Sequence, residues 1–286
     1  MRTSTLLADA ARRLTAAGVE SPRVDAELLL ASVLWVTRGR RLTLVTVPDD
    51  VAVRFGTLVD QRADRVPLQH LTGRAPFRFL ELAVGPGVFV PRPETEQLTG
   101  WALERLAGTD APVVVDLGSG SGAIALSIAH EYPRARVTAV ERDPGAIEWT
   151  RHNAVARAEA GDTPVTVLEG DMTDPQLLRA LDGAVDVVVS NPPYVPDGAR
   201  VPREVADHDP PLALWGGPDG LDVVRGLLVT AARLLRPGGW LGIEHADQQG
   251  SALPALVRAH GAFTDVEDHP DLAGRPRFTT ARRTDR

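Results

Sequence analysis

The chain has 286 residues, of which 43% are apolar and 24% charged, with a net charge of −7 and no cysteine. Disulfides, thiolate metal sites and cysteine nucleophiles are therefore excluded, and the acidic balance disfavours a partner held mainly through phosphates. The opening residues lack a signal-like apolar run, and no long uncharged apolar stretch follows, so a soluble cytoplasmic protein with no membrane partner is expected.

The first residues read as helix: Leu6, Leu7, Ala10, Leu14 and Ala17 recur at helical spacing between Thr5 and Ala17. A second helix is predicted to start at Ser21 as N-cap with Pro22 in its first turn, and to run through Leu34. A third covers about Asp49 to Arg65. Residues 1–75 are thus expected to form a small helical domain, with substrate docking as its role. Between Pro67 and Pro93 the pattern turns β-like, with Phe77, Phe79, Leu82 and Val84, then Gly85-Pro86-Gly87, then Val88, Phe89 and Val90. A hairpin linker is expected over 76–91.

From residue 92 onward strands and helices alternate. Strands are predicted at Val113–Leu117, Arg136–Glu141, Val165–Glu169, Val185–Ser190, Trp240–His245, Phe263–Glu267 and Arg277–Ala281. Helices are predicted from Gly122, from Pro144 and over about Leu221–Leu235. This alternation implies an α/β fold with a parallel, doubly wound sheet and a crevice at the carboxyl ends of its strands.

The first strand ends in Asp116-Leu117-Gly118-Ser119-Gly120-Ser121-Gly122. Glycines allow a sharp turn and close approach to a ligand, and the next helix offers its N-terminus. Gly118, Gly120 and Ala123 also satisfy dinucleotide spacing, so a dinucleotide enzyme or a plain turn stays open at this point. Asp116, two residues before the first glycine, and Asp171-Met172 after the third strand shift the balance. A glycine loop with an acid before it, Glu141 after the second strand and Asp171 after the third resembles class I S-adenosylmethionine methyltransferases. On that reading Gly118 to Gly122, with Ser119, Gly120 and Ser121 between them, pack against the amino-acid tail of S-adenosylmethionine, with Asp116 near its ammonium. Glu141 takes the ribose, and Asp171 and Met172 meet the adenine.

The fourth predicted strand runs into Asn191-Pro192-Pro193-Tyr194. Two prolines cannot continue a buried strand, so a rigid loop opens there. The lone pair of a planar nitrogen is delocalised and points poorly at an incoming methyl group. Two acceptors aimed at its N–H protons hold it in line and favour the transition state in which it gains charge. The Asn191 side-chain oxygen and the Pro192 carbonyl are the candidates, Pro193 adds rigidity, and Tyr194 can stack on the flat acceptor. Asn191 also borders the cofactor site.

The same tetrapeptide resembles the motif of enzymes that methylate the amino groups of adenine and cytosine, so it does not choose the substrate. The surroundings do. Pro67–Gly73, Val88–Glu96, Asp116–Ala125, Asn191–Val195, Pro211–Leu221 and Gly238–Gly250 closely resemble the HemK/PrmC family of peptide chain release factor glutamine methyltransferases. The resemblance implies a helical N-terminal domain, a β-hairpin and a seven-stranded, Rossmann-like methyltransferase domain over 92–286. It implies transfer from S-adenosyl-L-methionine to the glutamine of the release factors' Gly-Gly-Gln motif, leaving S-adenosyl-L-homocysteine. Release factors are then the protein partner, with no stable nucleic-acid partner, and the enzyme is expected to be a monomer. Two positions depart from many relatives: Glu141, where they have Asp, and Met172, where they have an aromatic residue. Phe89 is expected to line the glutamine pocket if the Pro91–Glu96 segment binds substrate; otherwise Arg92, Glu94 or Glu96 ties the hairpin down. The pair Glu244-His245 is expected to be structural, and no metal is expected because the histidines form no ligand set.

Overall fold

The computed structural model describes residues 1–36 and 46–285, which divide into two compact units. The first comprises 1–74, 84–86 and 201–209. Its helices are α1 (Thr3–Ala16), α2 (Pro22–Leu34), α3 (Asp49–Ala63) and α4 (Leu68–Thr72), with α8 (Arg203–His208) returning from far along the chain. The apolar stripes read in the sequence converge: Leu7, Ala10, Leu14, Leu29, Leu30, Phe55 and Val59 are all buried in one cluster. Ser21 stands at the N-cap of α2 but its side chain makes no capping bond. Arg62, itself buried, donates to Asp25 at 2.7 Å and to Glu204 at 2.9 Å. That shared cation ties α8 to α2 and α3 within this unit.

The second unit comprises 75–83, 87–200 and 210–286. The hairpin strands are β1 (Arg74–Phe77) and β2 (Leu80–Ala83), so the turn falls at Arg78-Phe79, and Val88–Val90 form no strand. Arg78 adopts φ +50° there. Its guanidinium pairs with Glu131 and its backbone N–H donates to Glu96 at 3.0 Å. Glu96 therefore serves the hairpin, the structural role foreseen as one alternative.

The main elements are α5 (Thr95–Leu106), β3 (Val113–Leu117), α6 (Ala123–Glu131), β4 (Arg136–Glu141), α7 (Pro144–Glu159), β5 (Thr166–Glu169), β6 (Val185–Ser190), α9 (Asp222–Leu234), β7 (Leu235–Glu244), α10 (Ala252–His260), β8 (Phe263–Pro270) and β9 (Pro276–Arg283). They build a seven-stranded sheet of order β5-β4-β3-β6-β7-β9-β8. The strands β3 to β7 are parallel, as the predicted doubly wound sheet requires, and β9 runs antiparallel to both β7 and β8. A tight connection from β8 to β9, with Gly274 at φ +80°, leaves no room for a crossover helix and so forces the reversal.

Burial on both faces explains the near-continuous valine runs of β3 and β6. Alternate residues of β3 point to opposite sides: Val114 joins Leu98, Ala102 and Ile124, whereas Val113, Val115 and Leu117 join Leu227, Leu228 and Leu253. The strand β7 starts five residues before the predicted Trp240, because Leu235 pairs with Val185 ahead of an irregularity in register. Pro237 and Gly238 are tolerated at that irregularity, where ladder bonds are interrupted.

Candidate active site

The strand β3 ends at the glycine loop, whose shape is set by backbone conformation. Gly118, Gly120 and Gly122 have φ of +80°, +57° and +86°, a region L side chains rarely adopt. A Cβ on Gly118 would lie 2.7 Å from Met172 Cε, whereas one on Gly120 would meet nothing within 4 Å. The loop is pinned by backbone bonds from Gly118 and Ser119 to the Val140 carbonyl at 2.8 and 3.0 Å. Glu141 Oε2 accepts from the Gly120 N–H at 2.8 Å, and its Oε1 accepts from the N–H groups of Arg142 and Asp143.

Asp116 is fully buried. Its Oδ2 accepts from the Ala125 N–H at 3.1 Å in the first turn of α6, and its Oδ1 has no partner. Burial, with the nearby charge of Glu141 adding to it, pushes this carboxyl up to about 7 against the opposing Ala125 bond. Asp171 behaves differently. Its partial burial is outweighed by bonds from Thr173 and Arg142, which hold it below the ordinary range. Met172 packs against the core beside Gly118.

An orphaned buried carboxylate oxygen, an open face on Gly120 and a carboxylate holding the loop are what a ligand with a cationic tail and a diol would need. The residues present therefore fit S-adenosylmethionine.

The strand β6 lies beside β3 and ends at Ser190, whose hydroxyl donates to the Leu117 carbonyl at 2.5 Å. The neighbouring Asn191 carbonyl lies 3.9 Å from where a Gly118 Cβ would stand, so the two loops share one crevice. Pro192 and Pro193 are buried, and Asn191 and Tyr194 are partly buried. The Asn191 side chain donates from Nδ2 to Thr95 Oγ1 at 3.3 Å, which turns Oδ1 the other way.

Beneath the loop lies Glu244, the buried acid ending β7. Burial pushes its carboxyl up to about 7, with the nearby Thr95 and Tyr194 hydroxyls and the charge of Arg277 opposing the rise and Glu94 adding to it, and its Oε2 has no partner. Burial, above all, also raises the Tyr194 hydroxyl. His245 does not pair with its neighbour. Its ring nitrogens engage the Ala246 carbonyl and Asp268, each at 2.8 Å, so the pair divides between two sides of the strand. The Arg92 guanidinium stacks over the Phe89 ring at 4.8 Å, and its charge also acts on Tyr194.

The chain matches the PrmC N-terminal domain model over residues 5–73 and the Methyltransferase small domain model over 80–207. It is 52% identical to the release factor glutamine methyltransferase of Mycolicibacterium smegmatis, covering 99% of this chain and 98% of that one. The chain belongs to the release factor glutamine methyltransferase family. A member from Streptomyces coelicolor is 51% identical over 97% of this chain and 96% of its own. The fold alone is shared with a 16S rRNA N2 G1207 methyltransferase of T. thermophilus solved with AdoMet and guanosine, at TM-score 0.51 and 24% identity. That likeness covers 73% of this chain and 49% of the other. Among the described residues no helix is long and apolar enough to cross a membrane.

Within this family framework, several residues were given no individual role by the reading of the sequence. Gln249 donates to the carbonyls of Tyr194 and Asp219, each at 3.1 Å, which joins the Asn-Pro-Pro-Tyr loop to the Gly-Gly-Pro-Asp-Gly turn at 216–220. That turn fits closely: a Cβ on Gly220 would stand 2.2 Å from the Tyr194 carbonyl oxygen, and one on Gly216 2.7 Å from that of Pro193. On α7, Thr150 donates to the Gly120 carbonyl at 2.6 Å, and Asn153 to those of Ser121 and Ala83, each at 2.9 Å. Thr150 and Asn153 interrupt the buried stripe begun by Ala146 and Ile147, and Thr95 interrupts that of Leu98, Ala102 and Leu106. A polar residue inside an apolar stripe needs a partner, and that was the available signal.

Proposed function

We propose that this chain transfers a methyl group from S-adenosyl-L-methionine to the side-chain amide nitrogen of glutamine in the Gly-Gly-Gln motif of peptide chain release factors. The observation that carries the reading is the aim of Asn191. Its NH₂ is committed to Thr95, so its oxygen is the end offered to an incoming amide.

Bound S-adenosylmethionine supplies a sulfonium-activated methyl group, and S-adenosyl-L-homocysteine remains. Asp116 meets the cationic tail, Gly118, Ser119, Gly120, Ser121 and Gly122 line its backbone, Glu141 takes the ribose, and Asp171 and Met172 border the adenine. Asn191 Oδ1 and the Pro192 carbonyl accept the two amide N–H bonds, which orients the nitrogen and stabilises the positive charge it acquires. Pro193 keeps the loop rigid, and Tyr194 and Phe89 border the flat acceptor group. The nitrogen loses its proton after transfer, so no side chain has to act as a base beforehand.

We assign docking of the release factor to the helical unit, and we place the enzyme in the cytoplasm as a monomer. Trp35, 82% exposed at the end of α2, is the aromatic side chain of that unit suited to a protein contact. Trp35→Ala is expected to raise KM for the release factor about 3–10-fold, the loss of one modest contact. Cofactor affinity is expected to hold, and an unchanged KM counts against this docking surface.

A radiolabelled methyl-transfer assay tests the main reading with three acceptors: a release factor, its Gly-Gly-Ala variant and duplex DNA. Label on the native factor alone is expected. Label on both factor forms would move the target residue, and label on DNA would make the chain a nucleic-acid amino-methyltransferase.

A further inference from the structure

We propose that Gln249 is a positioning residue for methyl transfer: it holds the far end of the Asn-Pro-Pro-Tyr loop and so sets the direction of the Pro192 carbonyl. The inference rests on the reading of Asn191 Oδ1 and the Pro192 carbonyl as the two acceptors for the glutamine amide.

A backbone carbonyl is aimed by fixing the chain on both sides of it. On the near side, Ser190 pairs with Ile243 across β6 and β7, and its hydroxyl donates to the Leu117 carbonyl. On the far side, the Tyr194 carbonyl accepts from Gln249 Nε2 at 3.1 Å. Between these anchors Pro192 and Pro193 are buried, and their rings lock φ. The Pro192 carbonyl therefore points where the two anchors place it.

Gln249 is equipped to hold that far end. It is buried, in the single 3₁₀ turn Asp247–Gln249 that follows β7. Its Oε1 accepts from the Ala246 N–H at 3.0 Å, and its own backbone N–H donates to the Ala246 carbonyl at 2.9 Å. The side chain is thus strapped to its own turn. Its NH₂ has two protons, and they go to the carbonyls of Tyr194 and Asp219, each at 3.1 Å. All three partners of the side chain are backbone groups, whose donor or acceptor character is fixed. The amide therefore has one orientation, and both of its ends are used. Two carbonyl oxygens that converge repel each other unless a donor lies between them, and Gln249 supplies that donor. Val195, the next residue, is held separately by backbone bonds with Leu214 and Gly216. Loss of the Gln249 donors then frees the Tyr194 peptide plane without unthreading the loop.

The test compares Gln249→Glu, Gln249→Met and Asn191→Ala in the full chain. A native release factor is the acceptor, and turnover is counted per cofactor-binding site. Glutamate keeps the shape and an acceptor for Ala246 but offers at most one proton in place of two. Methionine keeps the approximate volume and removes all three side-chain bonds. Both are expected to lower kcat about 10–100-fold, since a misplacement of about 1 Å at the reacting groups costs about 100-fold. KM and cofactor affinity are expected to stay within about threefold, because the effect falls on orientation and not on binding. Thermal melting shows that each variant is folded, and glutamate decides the matter if methionine is not. Wild-type kcat in Gln249→Glu would overturn the positioning role. So would cofactor affinity or KM worsening in step with kcat, the mark of a general structural role. Full activity in Asn191→Ala would instead remove the underlying reading, so the two failures are distinguishable.

Discussion

The glycine loop after β3 and the Asn-Pro-Pro-Tyr loop after β6 end neighbouring strands and share a crevice, yet they owe their shape to different causes. The first takes its shape from left-handed glycines at 118, 120 and 122 and from backbone bonds to the adjoining strand β4, with Glu141, Thr150 and Asn153 fastening it. The second is stiff in itself but aimed from outside. Thr95 comes from α5, Gln249 from the turn after β7, and Gly216 and Gly220 from the segment before α9. A ligand met repeatedly in one pose suits a loop with a built-in shape. An acceptor that must be oriented for in-line attack needs support from several sides at once.

The sharpest way to break that contrast is Asn191→Ala. Loss of one transition-state acceptor is expected to cost about 100–1,000-fold in kcat. Cofactor affinity should stay within a few-fold, and a parallel loss of cofactor binding would show that the two loops act as one site.

A smaller effect is expected from Gly220→Ala, far from the tetrapeptide in sequence. The new Cβ would meet the Tyr194 carbonyl oxygen at 2.2 Å, and φ there is +75°. The substitution must move the loop, at a cost of about 1–3 kcal/mol in stability and a fall of about 10-fold or more in kcat. Thermal melting and steady-state kinetics check it. A variant with native kcat would mean that the loop keeps its aim without the turn beneath it.

The mildest expectation concerns pH and the glycine-loop side. Asp116 has its carboxyl raised to about 7 by burial, so it must ionise before it can attract a cationic tail. Cofactor affinity should weaken as pH falls below 7, by at most about tenfold per unit, and Asp116→Asn should bind weakly with a flat profile. The stability of the cofactor-free protein runs the other way. The unfolded chain ionises near 3.8 while the folded one holds its proton to about 7, so unfolding releases a proton in that window. Stability contributed by this group is therefore present at low pH and is lost as pH rises through about 7. Titration calorimetry and melting across pH 5 to 8 read both trends, and parallel profiles would contradict the assignment of Asp116.

Much of this was legible in the sequence because it is local. Valine runs bounded by glycine loops specify buried parallel strands, and all seven strands were anticipated, β3, β4 and β6 with the bounds observed. The glycine loop is visible because its conformational demand falls on the residues that form it. The tetrapeptide is visible because two prolines after a buried strand require an explanation. The hairpin was placed less well: Gly85-Pro86-Gly87 looked like its turn, whereas the chain reverses at Arg78-Phe79, held by Glu96 and Glu131. A turn stabilised by distant carboxylates has no local signature.

The sequence by itself thus determined the fold class and the glycine loop, since each follows from residues within a few positions of one another, and its spread of motifs determined the family. The tertiary structure alone decided the separation of Glu244 from His245 and the support that fixes Asn191. The physical reason is the same for each: hydrogen-bond polarity and strand pairing depend on which groups meet in space, and those groups lie tens of residues or more apart along the chain.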